Sequence, residues 1–534
     1  MRFFNTAGPI NPEWHYYVPH RLDENLFQQL IDQAKYFILH APRQSGKTTA
    51  MRQFAQHLNN TGKYKALYFN VEPAQIARGD VEKGMKIILG ELRGQAKIMY
   101  NHNDPLFEII EKALKQLSGG SLKDVLQDWS SSSNQPIVLF IDEIDSLVGD
   151  TLISVLRQLR AGYNNRPNAF PQSVCLFGVR DVRDYRIWSN DEQSMVLGGS
   201  AFNIKAESLT LPNFSLDQVR MLYLQHSQEA GQQFTEEAIE YAFYLTQGQP
   251  WLVNALAYQA CFVDVTDRSQ LITKDTIERA KETLIKRCDT HIDVLIDRLQ
   301  EPRVRTIIDA IISTQSDMIT FLTDDVQYVR DLGLIKQNTF EIANPIYQEI
   351  IPRALAQITQ ERIQESSLFY QNSDGSLNMN KLLEKFTDFY RENSATWLAD
   401  FQYKESGPHL LLMAFLQRVI NGVSAEASAK GEGGTIHREY ALDRKRVDLL
   451  LSWPAITTAI ANKTHQRIVI ELKVLRSNKA LVEGLEQTAE YMDIANATEG
   501  HLIIFDRDLE KNWDEKIYHQ VEQVGNKKIT VWGL

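Results

Sequence analysis

Apolar positions follow different rhythms in different parts of the chain. Over the first 200 residues, short continuous apolar runs alternate with longer amphipathic stretches. The runs at 36–40, 66–71, 137–141, 173–178 and 202–209 read as strands. Pro136-Ile137-Val138-Leu139-Phe140-Ile141 is apolar at every position, as a parallel strand covered on both faces should be. The alternation of strand and amphipathic stretch predicts a mainly parallel sheet flanked by helices. Residues 119–134, with their glycines and the serine run 130–133, read as loop around one helix.

From Ser215 the pattern becomes helical. Ser215-Leu216-Asp217-Gln218 fits a capping box, in which Ser215 and Gln218 satisfy each other's backbone donors. Helical periodicity covers 216–230 and 235–246, then 251–262 after Gly248-Gln249-Pro250, then 273–299. Residues 303–354 predict a helix to Ser313, a short helix 324–332, Gly333, and extended pieces around Ile335 and 340–342. That order suggests a winged helix-turn-helix. Its second helix carries Asp324, Asp325 and Asp331 against one arginine, Arg330, which favours a structural or protein-contact role over reading DNA.

Gln371-Asn372-Ser373-Asp374-Gly375-Ser376 reads as a linker. Helices follow at 381–391 and 409–422, then a Gly/Ala/Ser-rich stretch at 424–434. The expected organisation is an α/β core over 1–210, a helical lid over 211–299 and a winged helix over 300–360. A linker with a helix over 361–395 then leads to a second α/β domain over 396–534. Four domains and a linker in 534 residues agree with the three or four domains that length alone suggests.

Composition narrows the class. Forty-three per cent hydrophobic and 23% charged residues is ordinary globular composition. No apolar run approaches the roughly 20 residues that span a bilayer, and the N-terminus lacks the apolar core of a secretory signal. Cys175, Cys261 and Cys288 are widely spaced and form no metal-ligand pattern, so disulfides and zinc are not expected. The expected setting is cytoplasmic, with no membrane partner. A net charge of −11 argues against a general polyanion-coating protein, though a local basic cleft is compatible with it.

Two constellations carry chemistry. Ala41-Pro42-Arg43-Gln44-Ser45-Gly46-Lys47-Thr48 follows the strand at 36–40 and opens a helix-compatible stretch. This is the strand–loop–helix context of a phosphate-binding P-loop, with Ala41 where the pattern has its first glycine. Backbone N–H groups of Arg43 to Thr49 and the helix N-terminus offer positive partial charge to phosphate. Lys47 would reach the β/γ-phosphates and Thr48 would hold Mg²⁺. Asp142 ends a buried strand, where a Walker-B acid sits near that Mg²⁺, and Glu143 could act as general base on the attacking water. Together the motifs predict binding of ATP or GTP.

The second constellation lies near the C-terminus. Asp448 enters one strand, and Arg467-Ile468-Val469-Ile470-Glu471-Leu472-Lys473-Val474 forms the next. Side chains alternate along a strand, so Glu471 and Lys473 share one face, opposite Ile470 and Leu472. Carboxylate and ammonium at mid-sheet are costly unless paired or bound to a metal. Asp448 and Glu471 supply the oxygen ligands that Mg²⁺ prefers, and Lys473 could orient water or stabilise charge on a phosphate. Gln487 and Tyr491 are four apart and lie on one helical face.

This second set, over roughly 396–534, resembles the PD-(D/E)XK nuclease superfamily, with its restriction-endonuclease-like α/β fold. Val447 stands where the name has Pro, and Gln487 and Tyr491 look like the Gln-x-x-x-Tyr element of the recombination-exonuclease branch. The resemblance makes Asp448, Glu471, Lys473, Gln487 and Tyr491 the catalytic group, with Asp448 and Glu471 on the metal. The N-terminal part, about 4–299, resembles the AAA+ superfamily, especially its STAND and archaeal-type ATPase relatives. That resemblance implies ATP as the nucleotide. It also implies a lid sensor at Gly248 and Pro250, and contact of the His20–Asp23 stretch with the adenine end. Arg180 would lie near sensor 1, and Arg157 or Arg160 could be an arginine finger. ATPases of this kind joined to a winged helix and a PD-(D/E)XK domain are associated with mobile elements or genome defence. The resulting expectation is an ATP-binding, Mg²⁺-dependent nuclease whose partner is nucleic acid, with DNA favoured and RNA left open, and with homo-oligomers possible. The alternative is a STAND-like signalling scaffold that oligomerises with ATP and keeps an inactive nuclease-like module.

Overall fold

The structure is a computed structural model. It describes residues 1–100, 104–115, 121–181, 186–189, 194–287, 290–312, 322–351, 354, 370–372, 376–398, 406–421, 435–442, 445–455, 464–475, 479–506, 508 and 511–534. The chain forms two compact units: Met1–His291 with Leu322–Gln337, and Ile292–Phe321 with Asn338–Leu534.

The first unit is built on a parallel five-stranded sheet. Its strands are β1 (Tyr36–His40), β2 (Lys65–Asn70), β3 (Ile137–Asp142), β4 (Ser173–Gly178) and β7 (Lys205–Thr210), in the order β2-β3-β4-β1-β7. Alternation along each strand divides the core in two. Tyr36, Ile38, Leu67, Phe69, Leu139, Ile141 and Leu176 face helices Val81–Met99 and Gly149–Gly162. Phe37, Leu39, Tyr68, Phe140 and Phe177 face helices Glu24–Asp32 and Lys47–Asn60. Covering both faces explains why β3 and β4 are buried at every position. A short hairpin, β5 (Arg186–Ser189) with β6 (Ser194–Leu197), lies between β4 and β7. The run at 202–209 does not begin as strand: a helical turn, Gly198–Ala201, precedes β7.

Helices follow at Leu216–Ala230, Glu236–Thr246, Pro250–Tyr258 and Lys274–Arg287, in the stretch expected to form a lid. The first opens with the capping box of Ser215 and Gln218. The third runs on into a π-helical turn, Gln259–Asp264. In the stretch expected to be helical over 273–299, the described residues form helices Lys274–Arg287 and Thr290–Arg298. The N-terminal segment returns to this lid, with Phe4 and Tyr16 packed around Tyr223 and the fully buried His226.

Of the expected winged helix, the helices are present at Pro302–Ile312 and Thr323–Asp331. Where the hairpin was expected, Ile335 and Ile342 are single bridge positions flanked by bends.

The second unit holds a six-stranded mixed sheet: β8 (Thr435–Leu442), β9 (Lys445–Ala455), β10 (Thr464–Val474), β11 (Glu499–Phe505), β12 (Tyr518–Val524) and β13 (Lys527–Gly533). The order is β12-β13-β11-β10-β9-β8. Strands β8, β9 and β10 pair antiparallel, and β11 joins β10 in parallel. Helices Met379–Leu398 and Ser406–Asn421 cover one face through Leu382, Phe386, Phe415, Ile470 and Phe505. Helix Lys479–Ile494 covers the other through Tyr491, Met492, Val469 and Leu502. Within the segment 361–395, read as a linker with a helix, Tyr370, Leu377, Leu382 and Phe386 belong to the core of this sheet. Gln371 bridges Leu377, and the Leu377 backbone bonds the Gln466 side chain in both directions. The Gly/Ala/Ser-rich stretch 424–434 and residues 373–375 lie outside the described residues.

Candidate functional site

The P-loop connects the end of β1 to helix Lys47–Asn60. Ala41 donates its N–H to Gly178 O at 3.3 Å, extending the β1–β4 ladder, and is absent from the residues with positive φ. The position therefore makes no demand that only glycine meets. Gly46 does: its φ is +87°, and a Cβ there would lie 2.6 Å from Arg21 Nη1. Gln44 also has positive φ, at +57°. Arg43 and Gln44 are exposed, whereas Ser45 is buried. Lys47 is 6% exposed and donates from Nζ to the carbonyls of Ala41 (2.6 Å) and Pro42 (3.0 Å). Burial pulls its pKa down.

At the same edge of the sheet, Thr48 Oγ1 donates to Asp142 Oδ2 at 2.7 Å, and Tyr68 OH donates to that oxygen at 2.5 Å. The loop threonine and the strand-end carboxylate thus meet directly. Glu143 follows in left-handed conformation, φ +55°, with its N–H on Asp142 Oδ1 at 2.9 Å. Burial first, then the carboxylates of Asp145 and Asp142, push Glu143 up to about 7, near the range in which a general base works best. Asp145 accepts the Val179 N–H at 3.3 Å, which ties the start of the β4 exit to the Walker-B loop. Arg180 follows, 3.9 Å from Asp331 and stacked over Tyr328. Arg157 and Arg160 are exposed on helix Gly149–Gly162.

Beside the P-loop helix is an open cleft lined by Ala7, Ile10, Arg21, Phe214, Pro250 and Trp251 among others. Thr49 sits on its wall and accepts the Ile10 N–H at 3.3 Å. Gly248 meets Phe214 backbone to backbone. Phe214 N–H reaches Gly248 O at 2.8 Å, and a Cβ on Gly248, φ +71°, would fall 1.9 Å from Phe214 O. Pro250 then starts the lid helix, and Trp251 Nε1 donates to Thr6 O at 2.8 Å. Arg21 links the parts: it donates to Ser45 O and, at 2.6 Å, to Pro212 O, under the Phe214 ring. A largely apolar cleft beside a phosphate loop has the shape and polarity for a nucleobase. Tyr68, Thr6 and Trp251 had no signal in the sequence, because their roles depend on strand register and on how the N-terminal segment returns.

The C-terminal constellation also converges. Glu471 and Lys473 on β10 face helix Lys479–Ile494, as alternation requires. Lys473 Nζ lies 2.8 Å from Glu471 Oε1, and Asp448 Oδ2, on neighbouring β9, accepts the Leu472 N–H at 2.8 Å. Glu471 is 3% exposed, and its Oε2 is buried without a hydrogen-bond partner among the described residues. Burial, and then Asp448, push its pKa up. Tyr491 is pushed up to about 12 by burial and by the Glu471 and Asp448 carboxylates, so it lies within their field. Gln487, one turn earlier, has a buried Oε1 without a hydrogen-bond partner among the described residues. An all-oxygen donor set with an orphaned carboxylate oxygen fits Mg²⁺, which commonly takes one or two carboxylates and completes its shell with water and phosphate. No group of three or more His, Cys, Asp or Glu side chains of metal-binding geometry occurs among the described residues. No helix among them is long and apolar enough to cross a membrane.

Comparison with known proteins bears on the first site. Residues 5–351 match the family described as AAA-like domain. No curated protein matches. Among solved structures, the Walker-type ATPase of Pyrococcus abyssi is similar at 16% identity and TM-score 0.45, covering 65% of this chain and 99% of that one. Cdc6p of Pyrobaculum aerophilum is similar at 16% identity and TM-score 0.35, covering 66% and 98%. The RuvB Holliday junction branch migration motor of Thermotoga maritima is similar at 12% identity and TM-score 0.32, covering 62% and 95%. With its P-loop, Walker-B acid and parallel sheet, and with a family match over well more than half its length, the chain belongs to the AAA-like family of P-loop ATPases.

Proposed function

We propose that the chain is an ATP-controlled, Mg²⁺-dependent nuclease. The observation that carries this reading is the convergence of Asp448, Glu471 and Lys473 with Tyr491 beside them, including a buried Glu471 oxygen left without a partner. The order helix, three antiparallel strands, helix, parallel strand supports the resemblance to PD-(D/E)XK nucleases.

Asp448 and Glu471 would hold the cation, which when bound polarises a phosphodiester oxygen and acidifies water. Lys473, half-buried against Glu471, places its ammonium where negative charge develops on the attacked phosphate as the sugar oxygen leaves. Tyr491 and Gln487 restrict the approach from the helix side. At the other site, Lys47, Thr48 and Asp142 bind ATP with Mg²⁺, and Glu143 draws a proton from the attacking water. Arg43, Gln44, Ser45, Gly46 and Thr49 complete the phosphate loop, and Arg180 senses the terminal phosphate. The winged-helix segment serves as a protein contact, since Asp324 lies exposed and Asp325 half-buried at the start of its second helix. DNA is the favoured nucleic acid, and homo-oligomers are compatible with the exposed Arg157 and Arg160.

A second reading has its own observation. Asp448 already accepts a backbone N–H, and Glu471 is already paired to Lys473, so the same cluster can serve as structure in a STAND-like signalling scaffold with an inactive module. Incubating the full chain with a panel of DNA and RNA substrates, with Mg²⁺ or Mn²⁺, separates the two. Cleavage by wild type that is lost in Lys473→Ala supports the nuclease. No cleavage under any condition, with ATP-dependent oligomers, supports the scaffold.

A further inference from the structure

The chain leaves the P-loop unit after His291 and returns to it for only one short stretch, Leu322–Gln337. That stretch docks on the nucleotide-binding edge. Its helix Thr323–Asp331 ends in a turn at Gly333, φ +76°, where an added Cβ would lie 2.7 Å from Pro42 Cγ. The turn therefore rests on the phosphate loop. Asp331 is 2% exposed. Its carboxylate lies 3.9 Å from Nδ1 of His40, the last residue of β1, and 3.9 Å from Nε of Arg180, just beyond β4. Gln327 donates to Asp331 Oδ1 at 2.8 Å, and Tyr328 lies under the Arg180 guanidinium at 4.7 Å. Strand β4 sits between Walker-B strand β3 and P-loop strand β1, so Arg180 emerges on the edge that carries Lys47 and Asp142. Ligands of open α/β sheets bind at that carboxyl edge.

A carboxylate and a phosphate compete for the same guanidinium, and a phosphate repels a carboxylate nearby. We propose that Asp331 is a positioning residue that holds Arg180 in place. By doing so it makes the seating of 322–337 depend on whether the bound nucleotide carries a γ-phosphate. A γ-phosphate draws Arg180 away and pushes Asp331 back, loosening Tyr328 and the Gly333 turn from the loop. A diphosphate leaves the pair intact. Both ends of the stretch continue into the second unit, so its seating is a route by which nucleotide reaches the rest of the chain. The inference rests on the nucleotide-binding reading of the P-loop.

The test uses the full chain with Mg²⁺ and either ADP or ATPγS. Hydrogen exchange is followed in 322–337, and affinities are measured by fluorescence titration. The expected result is roughly tenfold faster exchange of 328–334 with ATPγS than with ADP, within the usual range of coupling between sites. Asp331→Asn should shift the ATPγS-to-ADP affinity ratio about tenfold toward ATPγS and make exchange indifferent to nucleotide. Asp331→Glu should restore both. Equal exchange with the two nucleotides in wild type, or equal change of both affinities in Asp331→Asn, overturns the proposal while nucleotide binding stands. If Asp331→Asn does not fold, the wild-type exchange comparison decides alone. Wild type that binds neither nucleotide overturns the P-loop reading and this inference with it.

Discussion

Glu143→Gln is expected to make the protein more stable and less active at once. The wild-type carboxyl is pushed from its ordinary 4.5 up to about 7 by burial and by Asp145 and Asp142. At pH 5 to 6 the folded state therefore holds a proton there that the unfolded state has largely released. Stability falls as pH rises through that window and stays low above it. A pKa displaced by roughly 2.5 corresponds to about 3 kcal/mol, present as a penalty at pH 8 and absent at pH 4. Glutamine carries no charge and fits the same space, so the variant should gain up to about 3 kcal/mol at pH 8 and nothing at pH 4. Urea unfolding of both proteins at several pH values reads this as a difference in which the other titrating groups cancel. ATP hydrolysis should fall by about 10²–10⁴-fold with nucleotide affinity kept, as expected when only a general base is lost. Parallel stability curves for the two proteins would refute the electrostatic argument. Undiminished hydrolysis by the variant would refute the assignment of Glu143 as base.

Other substitutions test other parts. Lys47→Ala removes a charge-assisted contact worth about 1.5–3 kcal/mol, so nucleotide Kd should rise ten- to a hundredfold or more; an unchanged titration would count against the P-loop. Gly248→Ala and Gly231→Ala both place alanine at positive φ, but only the first meets an atom, Phe214 O at 1.9 Å. Thermal melting should show Gly248→Ala as the costlier by at least about 1 kcal/mol, with weaker nucleotide binding. Equal melting would mean that the lid entrance yields freely. Glu471→Gln should stabilise the protein at alkaline pH and not at acid pH. Its raised pKa means that the wild-type site loses stability as pH rises through it. A gain of the same size at all pH values would contradict the burial of charge at that position.

Much of this was legible in the sequence because it is local. The P-loop octapeptide, the Walker-B strand and the Ser215 capping box are all set by neighbours in the chain, and each falls where the pattern puts it. Alternation alone also assigned Glu471 and Lys473 to one face of β10. What escaped depends on distant neighbours. Tyr68 reaches Asp142 because β2 lies beside β3 in register, with Asn70 opposite Asp142. Strands β8, β12 and β13 lack continuous apolar runs. Strand β12 is exposed along most of its length, so burial leaves no pattern to read. In the sequence Asp331 counted only as one of three acids that turned its helix away from reading DNA and toward a structural or protein contact. Folding instead places it between two basic side chains at the nucleotide edge.

The most direct test of the whole account is the cleavage rate of the best substrate as ATP, ADP or ATPγS is added, for wild type and Lys47→Ala. The account predicts a wild-type rate that changes several-fold between ADP and ATPγS, and a Lys47→Ala rate that ignores nucleotide. Cleavage equally fast in every state and in both proteins would show two independent activities on one chain and contradict control by the ATPase unit.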